Sequence, residues 1–114
     1  MPRRELTVAG YRGMWLVVMF DLPVKTPKDR KAYAQFRKEL LKRGFSMLQF
    51  SVYAHYCDSE ESSAVFRAQI RSVLPEKGHV RLLLITDRQF GKMESFIGVK
   101  SRVPEKPPKQ LLLF

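Results

Sequence analysis

The sequence predicts an α+β fold of the ferredoxin-like plan, with the element order βαββαβ, and three observations indicate it. Residues 14–21, MWLVVMFD, and residues 79–86, HVRLLLIT, are apolar runs of strand length. Residues 45–56, FSMLQFSVYAHY, are rich in aromatic and β-branched side chains and are long enough for two strands. Two segments with helical periodicity lie between these runs. The expected form is an antiparallel four-stranded sheet with two helices on one face.

The first helix is predicted to follow the first strand closely. The strand, residues 14–21, lacks alternation of apolar and polar side chains, so we expect it to be buried on both faces. Thr26 is a suitable N-cap, and Pro27 fits the first helical position because its missing N–H group costs nothing there. Gly44 is the expected end of the helix. The residues that share the core-facing stripe are Tyr33, Phe36 and Leu40.

The second half of the domain repeats the pattern. Residues 45–56 are expected to break near 49–51 into two strands joined by a very tight hairpin. A second helix begins after Asp58 or Ser59, either of which could cap it. Its core-facing residues are predicted to be Phe66, Ile70 and Val73. Residues 79–86 then form another buried strand.

The two ends of the chain differ from this core. Residues 1–13 look like an N-terminal extension, and residues 14–98 form the ferredoxin-like domain. Within it, residues 89–98 fit either a short helix or an extended connection. Residues 99–114 contain a proline-rich linker followed by QLLLF, an apolar end that must pack somewhere. We expect it to add an edge strand, either to the chain's own sheet or to a partner's.

Composition places the chain among globular proteins. Hydrophobic residues make up 45% of the 114 residues, and no apolar run approaches the length of a membrane span. No signal peptide is recognisable at the N-terminus, so a cytoplasmic location without membrane partners is expected. The single cysteine, Cys57, excludes an internal disulfide, and its structural interpretation is favoured over a nucleophilic one.

Positive charge is the strongest functional signal. The net charge is +10, and residues 25–43 hold eight basic and two acidic residues, a local net charge of +6. Such a field attracts polyanions, so nucleic acid is predicted rather than a merely solvated helix face. A membrane surface is disfavoured because the helix lacks an exposed aromatic-rich face. The predicted nucleic-acid-binding residues are Lys25, Lys28, Arg30, Lys31, Lys38 and Lys42.

Asp21 is the main candidate for chemistry, because it ends an apolar strand without a close partner in sequence. A carboxylate in this position is often structural, forming a turn or capping nearby N–H groups. The functional alternative is a ligand for Mg²⁺, which prefers oxygen atoms and keeps several waters. One aspartate per chain is a thin site, whereas two copies of Asp21 across a two-fold axis would be adequate.

Other chemical signals are weak. The sequence has no glycine-rich phosphate loop and no metal-spaced Cys or His cluster. His55 and His79 both lie on predicted strands, where packing or surface roles are more common than catalysis. Asp87, after LLLIT, is a reserve strand-end acid, although TDRQ also resembles an ordinary turn. The RNA-recognition fold shares the plan, but its Lys/Arg-Gly-Phe signature is missing.

The strand ending MFDLP, the basic helix and GFSMLQFSVY with its QxSVY core together resemble the CRISPR-associated protein 2 family. RKAYAQFRKELLKRGFSMLQFSVYAHY and KGHVRLLLITDRQFGKM are similar to short members that accompany type II systems. The resemblance covers about residues 13–114. It implies a homodimer in which each C-terminal strand joins the partner's sheet. It also implies that Asp21 binds Mg²⁺ and is catalytic, with Phe20 and Tyr53 as the supporting aromatics.

One departure from the family pattern concerns Met47, because many members carry a basic residue there. Two functional classes therefore stay open. In the first, the dimer scaffolds spacer acquisition by holding duplex DNA on basic surfaces while CRISPR integrase subunits dock. In the second, it is a Mg²⁺-dependent endonuclease acting on RNA or duplex DNA. An unrelated alternative is a non-catalytic ferredoxin-like nucleic-acid-binding or regulatory module outside CRISPR.

Overall fold

The computed structural model describes residues 13–98 and confirms the predicted order of strands and helices. The strands form one four-stranded antiparallel sheet in the order β2-β3-β1-β4. The strands are β1 (Met14–Asp21), β2 (Ser46–Gln49), β3 (Val52–Cys57) and β4 (His79–Thr86). The helices are α1 (Pro27–Lys42), α2 (Glu60–Arg71) and the short α3 (Asp87–Gly91). This is the arrangement expected of a ferredoxin-like α+β domain.

Helix α1 begins and ends as its sequence predicts. The Thr26 hydroxyl accepts a hydrogen bond from the Asp29 N–H, and the Asp29 carboxylate accepts one from the Thr26 N–H. These two bonds form a capping box. At the other end Gly44 has φ +92°, and the Phe45 N–H donates to the Leu40 carbonyl at 3.1 Å. This Schellman ending satisfies carbonyls of the last turn and returns the chain toward the sheet.

The β2–β3 hairpin is as tight as the sequence requires. Gln49 and Val52 are partners in the ladder, and Ser51 between them has φ +66°. The Ser51 carbonyl accepts a hydrogen bond from the Phe20 N–H at 3.1 Å, which joins the turn to β1. Tyr33 reaches the same turn, since its hydroxyl lies 2.8 Å from the Ser51 hydroxyl. The hairpin is therefore fixed to both the central strand and α1.

One hydrophobic core lies between the sheet and the two long helices. Alternate residues of β1, among them Leu16 and Val18, face it and are fully buried. Phe36 and Leu40 of α1 and Ile70 of α2 are almost fully buried in this core. Ser59 caps α2 by accepting the Ser62 N–H, which decides between the two caps that the sequence allowed. Both helices therefore cover one face of the sheet, as predicted.

Strand β4 departs from the prediction that it is buried. In the sheet formed by residues 13–98 it is an edge strand whose side chains alternate, and Leu83 is 46% exposed. Val80, Leu82 and Leu84 pack against the core, while the residues between them point to the other face. A continuous apolar run in the sequence does not distinguish a central strand from an edge strand, because it does not show which other strands lie beside it.

We call the sheet surface opposite the helices the open face. Its β1 residues alternate with the core residues of the same strand. Because residues paired directly across an antiparallel ladder share a face, their partners on β3 and β4 belong to it too. The open-face residues are Trp15, Val17, Met19 and Asp21 of β1, Val52, Ala54 and Tyr56 of β3, and His79, Arg81, Leu83 and Ile85 of β4.

Helix α3 covers one end of the open face. Thr86 caps the helix, and the Phe90 ring stacks on the Trp15 indole with centroids 4.0 Å apart. The indole N–H donates to the Asp87 carboxylate at 2.7 Å. The connection at 89–98 is thus helical only as far as Gly91, and residues 93–97 have no regular structure.

Two predictions cannot be compared with this fold. The N-terminal extension, apart from its last residue, and the linker with its C-terminal strand lie outside the described residues. Within residues 13–98, no helix has both the length and the apolar character that a membrane span requires.

Candidate functional site

Asp21 ends β1 with an exposed side chain and a firmly held backbone. Its neighbours Phe20 and Leu22 are 7% and 8% exposed, so both sides of the strand end are anchored in the core. Among the described residues, no group hydrogen-bonds or forms an ion pair with the Asp21 carboxylate. The structural alternative, a carboxylate that caps nearby N–H groups, therefore finds no support within residues 13–98. The Asp21 carboxylate thus has a fixed position and no described partner.

The register of the sheet brings two further polar side chains to Asp21. Asp21 is paired with His79, and Met19 is paired with Arg81. Side chains directly opposed in an antiparallel ladder have Cβ atoms about 5 Å apart, and diagonal neighbours about 7–8 Å. His79 and Arg81 are both exposed. A carboxylate, an imidazole and a guanidinium therefore share one end of the open face.

The sequence alone does not predict this grouping. It favours a packing or surface role for His79 and assigns no role to Arg81. Their alternation with Val80 and Leu82 was the available signal, because it places both polar side chains on one face of a strand. What the alternation does not provide is the register against β1, which decides that His79 rather than Arg81 lies opposite Asp21.

Phe20 and Tyr53, the predicted supporting aromatics, lie in the core rather than at the surface. Their rings stack with centroids 5.8 Å apart, and Tyr53 is 1% exposed. Phe20 also packs edge-on against Phe36 of α1, with centroids 5.1 Å apart. The two rings therefore hold the C-terminal end of β1 from the helix side of the sheet, while Asp21 points to the other face.

The predicted basic residues of α1 are exposed but lie on the helix side of the sheet. Lys28 is close in sequence to the strand end, whereas Lys38 and Lys42 lie further along the helix. At a rise of 1.5 Å per residue, Lys42 is about 21 Å from Lys28. Lys28 lines a groove with Leu22 and Pro23, close to the strand end, whereas the remaining lysines lie further along the helix. We distinguish two surfaces, which we call the α1 basic face (Lys28, Lys31, Lys38 and Lys42) and the Asp21 end of the open face.

Lys25 lies in the loop that joins β1 to α1, and Arg30 lies near the beginning of α1. The Arg30 guanidinium donates to the Val24 carbonyl at 3.0 Å and to the Lys25 carbonyl at 3.1 Å. It thereby braces the loop that follows Asp21. The Lys25 side chain is exposed in that loop.

Acidic side chains reduce the positive charge at the far end of α1. Glu39 accepts hydrogen bonds from Arg43 and from Gln35, and it lies 3.7 Å from the Lys42 ammonium. The hydrogen bond from Arg43 is the largest cause that lowers the pKa of Glu39, so the carboxylate stays ionised. The charge of Lys42 is therefore partly neutralised, whereas no described acid forms an ion pair with Lys28, Lys31 or Lys38.

The other candidate residues are used structurally. The Asp87 carboxylate accepts the Trp15 indole N–H, as described above. His55 packs between Phe45 and Phe66, with ring centroids 5.2 and 4.2 Å away. Cys57 is 2% exposed, and burial raises the pKa of its thiol. The structural interpretation of the cysteine is thus supported.

A divalent cation fits the Asp21 end only as a shared site. Within the described part of the chain, no three His, Cys, Asp or Glu side chains lie close enough together to hold a metal ion. One carboxylate with a neighbouring imidazole would leave most coordination positions to water, as Mg²⁺ often accepts when a phosphate also binds. A second copy of Asp21 would supply the further anionic ligand that this donor set lacks.

Residues 14–93 match the family model described as CRISPR associated protein Cas2. The chain is 50% identical over 104 residues to the CRISPR-associated endoribonuclease Cas2 of Flavobacterium psychrophilum, covering 91% of this chain and 90% of that protein. It is also 50% identical over 101 residues to the protein of that name from Parvibaculum lavamentivorans, covering 89% and 100%. A third, from Paracidovorax avenae, is 44% identical over 107 residues, covering 94% and 99%.

Proposed function

The chain belongs to the Cas2 family of CRISPR-associated proteins, and from that membership we propose that it is a metal-dependent endoribonuclease acting as a homodimer in the cytoplasm. Relatives at 44–50% identity are named CRISPR-associated endoribonucleases. The proposal brings that activity to this chain and assigns it to Asp21. It sets aside the alternative of a module unrelated to CRISPR.

The single observation that supports this assignment is the state of Asp21. Its carboxylate is exposed, has no described partner, and sits on a strand end whose flanking residues are buried. Carboxylates with a structural role have oxygen atoms occupied by hydrogen bonds, as Asp29 does in the α1 cap and Asp87 does with the Trp15 indole. A free carboxylate on a rigid backbone is what metal binding and phosphoryl chemistry require.

The residues present suggest a division of work. Asp21 from each of two copies would hold Mg²⁺ between them, and water would complete the coordination. When bound, the cation would polarise the phosphodiester and lower the pKa of a bound water. Phe20 and Tyr53 keep the strand end in place from the core. Arg30 holds the loop that follows Asp21 by hydrogen bonds to two of its carbonyl groups, which limits movement of that loop.

The test compares Asp21→Ala with Asp58→Ala, a matched change at an exposed acid at the opposite end of the sheet. Cleavage of single-stranded RNA with Mg²⁺ should fall at least about 100-fold in the first variant and remain unchanged in the second. RNA binding should persist in both. Equal cleavage by Asp21→Ala and the unaltered protein would contradict the assignment.

A second function, scaffolding of spacer acquisition, is favoured by the α1 basic face. Four lysines along one stripe of an exposed helix suit sequence-independent contact with the phosphates of duplex DNA. Because this face lies across the sheet from Asp21, the chain could hold a duplex while an integrase subunit docks elsewhere. Both roles can coexist in one dimer.

Charge reversal tests the scaffold. Changing Lys28, Lys31, Lys38 and Lys42 to Glu should abolish duplex binding at moderate salt and prevent recovery of an integrase–DNA complex. The control reverses three exposed basic residues away from that face, namely Arg71, Arg88 and Lys92. Equal loss in both variants would indicate a general charge effect and would contradict a role specific to α1.

A further inference from the structure

We propose that Arg81, assisted by His79, binds the phosphodiester of single-stranded RNA beside Asp21. This inference rests on the proposed endoribonuclease function and deepens it. It assigns the phosphate-binding groups of the site to β4, a strand to which neither the sequence prediction nor the family pattern discussed above gave a role.

Arg81 and His79 both lie beside Asp21 in the sheet. Arg81 is paired with Met19, and it therefore stands diagonally from Asp21 across the β1–β4 ladder. Cβ atoms in that relationship are about 7–8 Å apart, a distance that a long arginine side chain spans. His79 lies directly opposite Asp21 in the same ladder. All three side chains are exposed on the open face.

The second argument is charge. A carboxylate repels a phosphodiester, so an acidic site that takes RNA needs a cation on the same surface. The lysines of the α1 basic face do not provide it, because they lie on the other side of the sheet. Arg81 is the only lysine or arginine among the described strand residues of the open face. Within residues 13–98, no acid forms an ion pair with it.

The side chains of Arg81 and His79 also have the chemistry that a phosphodiester requires. Arg81 lies on the same face as Asp21. A guanidinium there can bind two phosphate oxygens in its planar fork, and the His79 N–H can donate to a third.

The experiment measures RNA binding in EDTA, so that its outcome does not depend on cleavage. Fluorescence anisotropy follows a labelled single-stranded RNA at several salt concentrations with the full-length protein. Arg81→Gln should weaken binding roughly tenfold and lower the magnitude of the salt slope by about 0.7, the value for one phosphate contact on a single strand. Arg81→Lys should restore the slope. His79→Gln should weaken binding without altering the slope.

Two controls make the result specific. Arg88→Gln removes an exposed arginine from α3, at the opposite end of the sheet, and should leave both quantities unchanged. Duplex DNA binding should be equal for Arg81→Gln and the unaltered protein, because that duplex is assigned to the α1 basic face. Sedimentation should show the same assembly state for every variant.

The proposal is overturned if Arg81→Gln retains the unaltered affinity and salt slope. It is also overturned if Arg81→Gln loses affinity for RNA only because its assembly state, followed by sedimentation, has changed. The same holds if the variant weakens the binding of duplex DNA and of RNA equally. A failed endoribonuclease assignment gives a different pattern, in which Asp21→Ala cleaves normally while Arg81→Gln still changes the salt slope. The two ideas can therefore fail separately.

Discussion

A Cβ atom built on Gly78 would lie 2.6 Å from the backbone carbonyl oxygen of Asp21. It would also lie 2.9 Å from the Leu22 Cα atom, and Gly78 itself has φ +91°. Such close approach of two backbones is possible only without a side chain. The glycine before β4 therefore sets how near His79 and Arg81 stand to the end of β1.

The first prediction follows from that contact. Gly78→Ala should destabilise the fold by about 1–3 kcal/mol, because both the conformation and the space oppose a Cβ atom. It should also reduce RNA cleavage in conditions where the protein remains folded, since the strand ends must separate. Urea denaturation and cleavage assays measure the two effects. Gly91→Ala is the matched control, because a Cβ atom there meets nothing within 4 Å. Similar behaviour of the two variants would count against the contact.

The second prediction concerns the hydrogen bond between the Tyr33 and Ser51 hydroxyls. Tyr33→Phe removes it from a partly buried site and should lower the free energy of unfolding by about 1 kcal/mol. Tyr56→Phe is the control, because no described residue hydrogen-bonds to the Tyr56 hydroxyl. Thermal unfolding should show a lower midpoint for the first variant only, and an unchanged midpoint would mean that water replaces the bond without loss.

The third prediction separates the two roles considered for Arg30. Because its guanidinium braces the Val24 and Lys25 carbonyls, Arg30→Gln should cost about 0.5–1 kcal/mol of stability and lower cleavage at Asp21. Its effect on duplex binding should be smaller than that of Lys31→Gln on the adjacent exposed position. The reverse order of effects on duplex binding would show that Arg30 is chiefly a DNA contact.

The fourth prediction concerns Cys57. Burial, and then the nearby Asp58, raise the pKa of its thiol above the ordinary value, so the folded protein disfavours the thiolate. The unfolded chain ionises first, and the resulting stability is complete below the ordinary pKa of about 8.5–9 and declines as the pH rises toward the folded pKa. At pH 8, an aromatic disulfide reagent should react far more slowly with the folded protein than in urea. Equal rates would place the thiol at the surface.

The helical spacing of Tyr33, Phe36 and Leu40, together with the caps at Thr26 and Gly44, was enough to predict α1 from the sequence. These signals are local, since each depends on residues within one or two turns. The hairpin at Ser51 was predictable for the same reason, because only a tight turn fits between the two strands.

The relations across the sheet were not predictable in the same way. That His79 faces Asp21 depends on the register of two strands separated by nearly sixty residues of chain. The alternation of His79 and Arg81 with Val80 and Leu82 disfavours a shift of one residue, which would move Arg81 to the helix side. A shift of two residues would keep every side chain on its face and would place Arg81 opposite Asp21, and the sequence pattern does not exclude it. The position of Asp21 at the end of a strand was predicted, whereas its proximity to His79 and Arg81 became visible only in the folded structure.

The stack of Phe90 on Trp15 has a practical consequence for spectroscopy. Trp15 is the only tryptophan in the chain, and it lies at the end of the open face remote from Asp21. Its emission therefore reports how α3 sits on the sheet, with the Asp87 hydrogen bond adding polarity to the indole environment. RNA bound only beside Asp21 would leave this signal unchanged, whereas a ligand spanning the whole face would alter it. One native fluorophore can thus measure how far a bound strand extends.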